Sequence, residues 1–242
     1  MSQLVSCGNI GTLYVVATPI GNLKDITLRA IETLKLVDLI ACEDTRHTAI
    51  LLAAHGIRTR TTSYHSYSSR AKQSWLLDQL REGKAVALVS DAGLPGISDP
   101  GVALIQEAVG TGIPVTVVPG ASASLVGLVL SGFPTDRFVF EGFLPVKPGA
   151  RRTRLEALKA EERTAVFYES PHRLLKLLDG IQEVFGNIQV SVSRELTKRF
   201  EETRRDRVSE LRAHFERHPP KGEFVLVLPP QRLREHGEHH PS

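Results

Sequence analysis

Four short stretches of this chain gather residue types that bind and activate a small ligand. The most unusual, SDAGLPGISDPG from Ser90 to Gly101, packs three Gly, two Pro and two Asp into twelve residues. That density of Gly and Pro fixes uncommon backbone dihedrals. Its carboxylates suit ribose hydroxyls or a cationic amino group through charge-assisted hydrogen bonds, although a purely structural loop is the competing reading. ATPIGNL, from Ala17 to Leu23, carries Gly21, where a ligand can approach the backbone, and leads to Asp25, a helix-cap type. VVPGASA, from Val117 to Ala123, brings small residues to a helix start, with room for an adenine or a thioether chain, or Ser122 as a plain N-cap. FYESPHR, from Phe167 to Arg173, offers acid, base and cation together, or only a helix start built on Ser170 and Pro171.

Each stretch follows a run that reads as a buried strand. In the first half Leu13 to Ala17, Leu39 to Cys42, Ala85 to Ser90 and Val115 to Val118 are short apolar runs. Helical spacing lies between them, with Leu28, Ile31 and Leu34 on one face, Leu76 and Leu80 on another, and Ala103, Ile105 and Ala108 in a third segment. Gly112 and Pro114 stop that third helix. A further helix from Ser122 to Leu130 ends in the breaker cluster Ser131, Gly132, Phe133 and Pro134. Phe138 to Glu141, Thr164 to Tyr168, Gln189 to Ser193 and Phe224 to Leu228 are the second set of strands, with helices near Arg152 to Glu162 and Arg173 to Phe185. The alternation specifies an α/β fold built of βαβ units with a largely parallel sheet. The expected division is an N-terminal α/β domain over 11–133, a C-terminal α/β domain over 134–230 and a disordered polar tail over 231–242 that holds His236, His239 and His240. Ligand chemistry in such folds collects at the loops after the strands, where helix N-termini and free N–H groups are available.

Composition excludes several classes. With 242 residues the chain is long enough to bury real cores unaided. Cys7 and Cys42 are its two cysteines and no zinc spacing occurs, so neither a disulfide framework nor a metal is expected, and the compartment is read as cytoplasmic. No apolar run is long enough to span a membrane, and no membrane partner is expected. There is no Walker A motif and no GxGxxG after a strand. The net charge of +3 is modest, but the basic residues cluster. Lys147, Arg151, Arg152 and Arg154 form one group, and Arg194, Lys198, Arg199, Arg204, Arg205 and Arg207 a second, either as solvated faces or as a nucleic-acid surface.

The stretches ATPIGNLKDITLRA, ACEDTRHT, SDAGLPGISDPG, VPGASA, GFLP, FYESPHR, SRELTK and KGEFVLV, in this order over residues 11–228, resemble the tetrapyrrole-methylase superfamily. Within it they are similar to the branch of 16S ribosomal RNA cytidine 2′-O-methyltransferases. The resemblance implies two α/β domains of the class III methyltransferase type with S-adenosylmethionine in the cleft between them, usually in a homodimer. It carries cofactor binding onto Ile20, Gly21, Asp91, Ala92, Gly93, Leu94, Ser98, Ser122, Ala123, Tyr168, Gly222 and Glu223.

Methyl transfer from a sulfonium is an in-line displacement, so alignment is the protein's main contribution. A ribose hydroxyl also needs a base, and Glu43, Asp44, Glu169 and His172 are the candidates by type and loop position. Arg46, Lys147, Arg151, Arg152, Arg173 and Lys198 are the candidates to hold RNA phosphates of the 16S rRNA in the small ribosomal subunit. A methylase acting on a corrin or porphyrin precursor and a catalytically silent RNA-binding module are the competing expectations.

Overall fold

The computed structural model describes residues 10–65 and 67–235. Its contacts divide the chain into two compact units, with the division between Ser122 and Ala123.

In the first unit, β1 (Leu13–Val16), β2 (Leu39–Cys42), β3 (Thr61–Ser63), β4 (Val86–Val89) and β5 (Val115–Val118) form a parallel sheet in the order β3-β2-β4-β1-β5. Helices α1 (Leu28–Leu36), α2 (Thr45–Ala54), α3 (Arg70–Arg81) and α4 (Val102–Gly110) make the connections. Successive side chains of a strand point to opposite faces. Val86 and Leu88 accordingly pack with Leu76, Leu77 and Leu80 of α3 and Leu104 of α4, while Ala87 and Val89 pack with Ala30 and Leu34 of α1 and Leu52 of α2. A strand covered on both faces must be apolar at every position, which is why these strands read as unbroken apolar runs. Neighbours β1 and β4 send their chains in opposite directions, β1 past β4 to β2 and β4 past β1 to β5. Divergence of this kind opens a crevice at the carboxyl ends of the strands.

The second unit contains α5 (Ala123–Ser131), β6 (Phe138–Phe143), α6 (Pro148–Ala157), β7 (Thr164–Glu169), α7 (Leu174–Phe185), β8 (Gln189–Arg194), β9 (Glu202–Arg207), α8 (Val208–Arg217), β10 (Phe224–Leu228) and α9 (Gln231–Glu235). Its sheet runs β6-β7-β10-β8-β9, with β6 and β7 parallel and the other pairs antiparallel, so the largely parallel arrangement expected from the sequence does not extend to this unit. β8 and β9 are joined by a turn over residues 195–201, too short for the crossover that a parallel pair needs. Leu174, Leu177, Leu178 and Ile181 of α7 meet Phe167, Val192 and Leu226 of the sheet and Leu211 and Phe215 of α8 in one core.

Two domain boundaries differ from the sequence expectation, and the helix expected near Arg152 to Glu162 runs instead from Pro148 to Ala157. The breaker cluster after Leu130 does end α5, yet α5 packs on β10, β8 and β7, so the compact units separate before it rather than at 133/134. The contact depends on Gly127, where a Cβ would sit 2.5 Å from Val225 Cγ1. The start of the expected tail, Gln231–Glu235, is helical, and Arg234 donates to the carbonyls of Pro229 (2.6 Å) and Leu158 (2.7 Å) with its guanidinium 4.9 Å from the Phe185 ring centre. A charged side chain thus supplies the attachment that the missing apolar residues do not. His236, His239 and His240 lie outside the described residues.

Candidate functional site

In the first unit the loops that follow β1, β2, β4 and β5 share the carboxyl edge of one sheet, and they hold Ile20, Gly21, Glu43, Asp44, Asp91, Ala92, Gly93, Leu94, Ser98 and Ser122, with Arg46 in the first turn of α2 that follows. Two of these loops are tied directly to each other. The Thr18 N–H donates to the Gly93 carbonyl (2.9 Å) and the Gly93 N–H to the Thr18 carbonyl (3.1 Å), an isolated antiparallel bridge beyond the strands. Thr18 Oγ1 also donates to the Ser90 carbonyl at 3.1 Å. Thr18 and Ser90 are both buried loop builders absent from the expected site residues, although they are the second residue of ATPIGNL and the first of SDAGLPGISDPG.

Glycine is required where the loop turns hardest. Gly93 has φ +80° and Gly101 has φ +122°, values that side chains rarely tolerate. At Gly101 a Cβ would also lie 2.7 Å from Leu88 Cδ2. Gly120, in the loop after β5, has no room either, since a Cβ there would come within 2.9 Å of the Ala17 Cβ. Ser98 is a non-glycine residue held at φ 64°.

The carboxylates of this edge divide by environment. Asp44 caps α2, accepting from the Arg46 N–H at 2.8 Å, and its carboxylate pairs with the Arg46 guanidinium through Nη2 at 2.7 Å. These bonds from Arg46 hold its carboxyl far below the usual range, so it is fixed as an anion and is a weak proton acceptor. Neighbouring Glu43 is half-buried, and burial, with the charge of Asp91 adding to it, pushes its carboxyl up. Asp91 Oδ1 accepts from the Asp44 N–H at 3.2 Å, and among the described residues Oδ2 has no hydrogen bond.

In the second unit the candidates collect at one end of the sheet, after β6, β7 and β8 and before β10. Glu169 is buried at the end of β7, where Oε1 accepts from the Ser170 N–H (2.8 Å) and lies 3.2 Å from Arg173 Nε. Burial pushes its carboxyl up despite that cation and the charge of Arg151. Arg173 also donates to the Leu144 carbonyl, at 2.5 Å. Arg151 is 8% exposed, so its side chain is turned into the unit instead of being offered to a phosphate. Arg152 is exposed and paired with Glu183 at 2.6 Å, Lys147 is exposed at the start of α6, and His172 is exposed in the turn before α7.

Tyr168 stands between Phe140 and Phe143, with ring centres 4.9 and 5.7 Å away, and its hydroxyl accepts from the Ser124 N–H at 3.2 Å, which places it beside Ala123. Gly222 and Glu223 join the turn after β8. The Glu195 N–H donates to the Glu223 carbonyl (3.0 Å), and Lys198 bridges Glu195 (3.0 Å) and Glu223 (2.8 Å). A side chain at Gly222 would run into the Glu195 carboxylate. Glu195 was not among the expected site residues, and its central place in this network is not visible from spacing alone.

Among the described residues no cluster of ligand-type side chains suits a metal, and no helix is long and apolar enough to cross a membrane. The profile described as Tetrapyrrole (Corrin/Porphyrin) Methylases matches residues 12–212. Proteins named ribosomal RNA small subunit methyltransferase I are similar along most of the chain. The one from Mesorhizobium japonicum is 51% identical over 90% of this chain and 75% of its own. The one from Thermotoga maritima is 48% identical over 90% and 98%, and that from Escherichia coli O157:H7 is 47% identical over 97% and 84%. Among solved structures, uroporphyrin-III-C-methyltransferase from Thermus thermophilus superposes with a TM-score of 0.65 at 22% identity, over 96% of this chain and all of that one. A cobalt precorrin-4 methyltransferase does so with a TM-score of 0.69 at 18% identity, over 93% and 97%. These structural likenesses concern the fold, whereas the profile and the sequence relatives decide kinship, and the chain belongs to the tetrapyrrole (corrin/porphyrin) methylase family.

Proposed function

We propose that this protein transfers a methyl group from S-adenosylmethionine to the 2′-hydroxyl of a cytidine ribose in 16S ribosomal RNA. The observation that carries the reading is identity of about half along at least nine-tenths of the chain to proteins named for ribosomal RNA methylation. The small-molecule alternative rests on likeness of fold at about 20% identity. The assembled small subunit as acceptor, a homodimer as the working form and a cytoplasmic location belong to the same proposal.

The carboxyl edge of the first sheet fits the cofactor. Asp91 offers a carboxylate oxygen with hydrogen-bonding capacity to spare, suited to ribose hydroxyls or an ammonium group. Gly93 leaves open the space between Ile20 Cγ2 and the Ala121 carbonyl, 3.6 and 3.7 Å from where its Cβ would stand. Bound there, S-adenosylmethionine supplies an electrophilic methyl carbon on a sulfonium. The protein's residues then orient the acceptor and take its proton. Glu43 is the best-placed base of the first unit, because its burial raises proton affinity where Arg46 lowers that of Asp44. Arg46, Lys147 and Arg152 are the exposed cations assigned to phosphate. Glu169 pairs with Arg173, with the charge of buried Arg151 acting on the same carboxylate, at the end of β7 just after Tyr168 and just before His172.

The test is transfer of labelled methyl from S-adenosylmethionine to small ribosomal subunits that lack their own modification, with nuclease mapping of the labelled nucleotide. Label on one cytidine ribose is the expected result. Cofactor binding without any label in RNA overturns the reading and directs the search to tetrapyrrole precursors.

A further inference from the structure

The turn between β8 and β9, residues 195–201, presents an aromatic ring to solvent. Phe200 is 67% exposed, and the Arg199 guanidinium stands 5.5 Å from its ring centre. Single exposed apolar side chains are common and signify little, so what matters is how this one is held. Leu196 is buried beneath the turn, Lys198 N–H donates to the Glu195 carbonyl at 3.0 Å, and Glu201 N–H donates to the Lys198 carbonyl at 3.2 Å. Glu195 and Thr197 both adopt positive φ, 49° and 66°, without being glycine. The turn is also fastened to Glu223 through the Glu195 N–H bond to the Glu223 carbonyl and the Lys198 bridge. A rigid turn that carries candidate site residues at its base therefore holds a bare ring at its tip. Beside the ring is a guanidinium that has no acceptor among the described residues.

We propose that Phe200 is a stacking platform for an unpaired base of the RNA acceptor, with Arg199 meeting the adjoining phosphate. The assignment rests on the RNA reading above. A π-face next to a guanidinium matches a nucleotide, which offers a flat ring and a negative charge a few ångströms apart. Arg199 adds to the stack by lying over the same ring system. Because the turn is already ordered, little conformational freedom is lost when a base docks. Phe200 thereby contributes to choosing the acceptor and takes no part in methyl transfer itself.

The experiment compares Phe200→Ala, Phe200→Leu and Phe200→Trp with the wild type, using unmodified small subunits as acceptor. Base stacking on an aromatic side chain corresponds to roughly a 5- to 150-fold effect on affinity per base. Phe200→Ala and Phe200→Leu are expected to raise KM for the subunit within that range, with kcat and the cofactor Kd unchanged. Phe200→Trp keeps the π-face and should stay near the wild-type KM. A KM unchanged in Phe200→Ala overturns the inference while leaving methyl transfer to RNA intact. Retention by Phe200→Leu overturns it too, since a plain apolar contact would then suffice. So does conversion of a dimer to a monomer in Phe200→Ala, measured by light scattering, because the ring would then belong to a subunit contact. If the wild type itself methylates no RNA, the functional reading fails and this inference falls with it.

Discussion

Replacing Gly101 by Ala tests how far the loop before α4 depends on a conformation open only to glycine. Gly101 is the N-cap of α4 at φ +122°, and an L side chain held at such a dihedral costs about 1–3 kcal/mol. The added methyl would lie 2.7 Å from Leu88 Cδ2, and Leu88 is a fully enclosed residue of β4. Forcing a methyl group into a packed core costs a further amount of about 1–3 kcal/mol. The reduced freedom of the unfolded chain returns about 0.4–1 kcal/mol. The net expectation is a loss of about 2–4 kcal/mol, which at a urea dependence of about 2 kcal/mol per molar lowers the midpoint by roughly 1–2 M. Gly149→Ala is the control. Gly149 lies in the first turn of α6 without positive φ and with nothing within 4 Å of a Cβ. The same chemical change there should be neutral or stabilising by up to about 1 kcal/mol. Urea unfolding followed by far-UV circular dichroism gives both midpoints. A Gly101→Ala midpoint within about 0.3 M of wild type would refute the reasoning, because both the dihedral strain and the overlap would have been relieved at no cost.

Three other predictions concern charge. Glu43→Gln should lower kcat about 10²- to 10⁴-fold at saturating cofactor and RNA; since Glu43 must be ionised to accept a proton, activity rises with pH through its raised pKa, and Asp91→Asn, which removes one cause of the rise, should move that acid limb to lower pH. An unshifted limb in Asp91→Asn would remove Glu43 as the titrating base. His214 is held below the ordinary imidazole pKa, first by burial and next by Arg204; its contribution to stability is present above about pH 6.5 and is lost as pH falls through the folded value, so the melting temperature of wild type should fall more steeply than that of His214→Gln below that pH. Parallel curves would refute this. Arg151→Ala should lower the melting temperature yet leave the salt dependence of RNA binding unchanged, because the side chain is buried, whereas Lys147→Ala should reduce the magnitude of the log–log slope by about 0.7–0.9; a reduced slope for Arg151→Ala would show that it reaches phosphate after all.

The parts of the fold that announced themselves in the sequence were those enclosed on both sides. β1, β2, β4 and β10 are apolar runs because helices cover both faces of the first sheet and because β10 lies in the middle of the second. The two edge strands β3 and β9, reading TTS and ETRRDR, gave no such signal, since a strand at the rim can be polar along much of its length. α2 was also missed: Thr48, Leu51 and Leu52 are its buried positions, a narrow stripe in a sequence full of small and polar residues. α8 carried a readable Val208, Leu211, Phe215 spacing that the surrounding charges obscured. At the site, loop composition pointed to the right strand ends, but the fate of individual charges was not legible. Arg151 and Arg152 are adjacent and chemically identical, and only the phase of α6 turns one inward and the other out. Likewise Glu43 and Asp44 look equivalent as bases until the cap on α2 occupies one of them.

The charged rim of the second sheet also guards the chain while it folds. An unpaired strand edge invites another chain to add a strand, and long apolar edges are where ordered aggregation begins. In β9 any incoming strand would have to dock beside Arg204, Arg205, Asp206 and Arg207 and match their charges residue by residue. The arginine-rich sequence that hid this strand from a reading of hydrophobic pattern is thus the same feature that lets the sheet end at five strands instead of growing by recruitment from a neighbouring molecule.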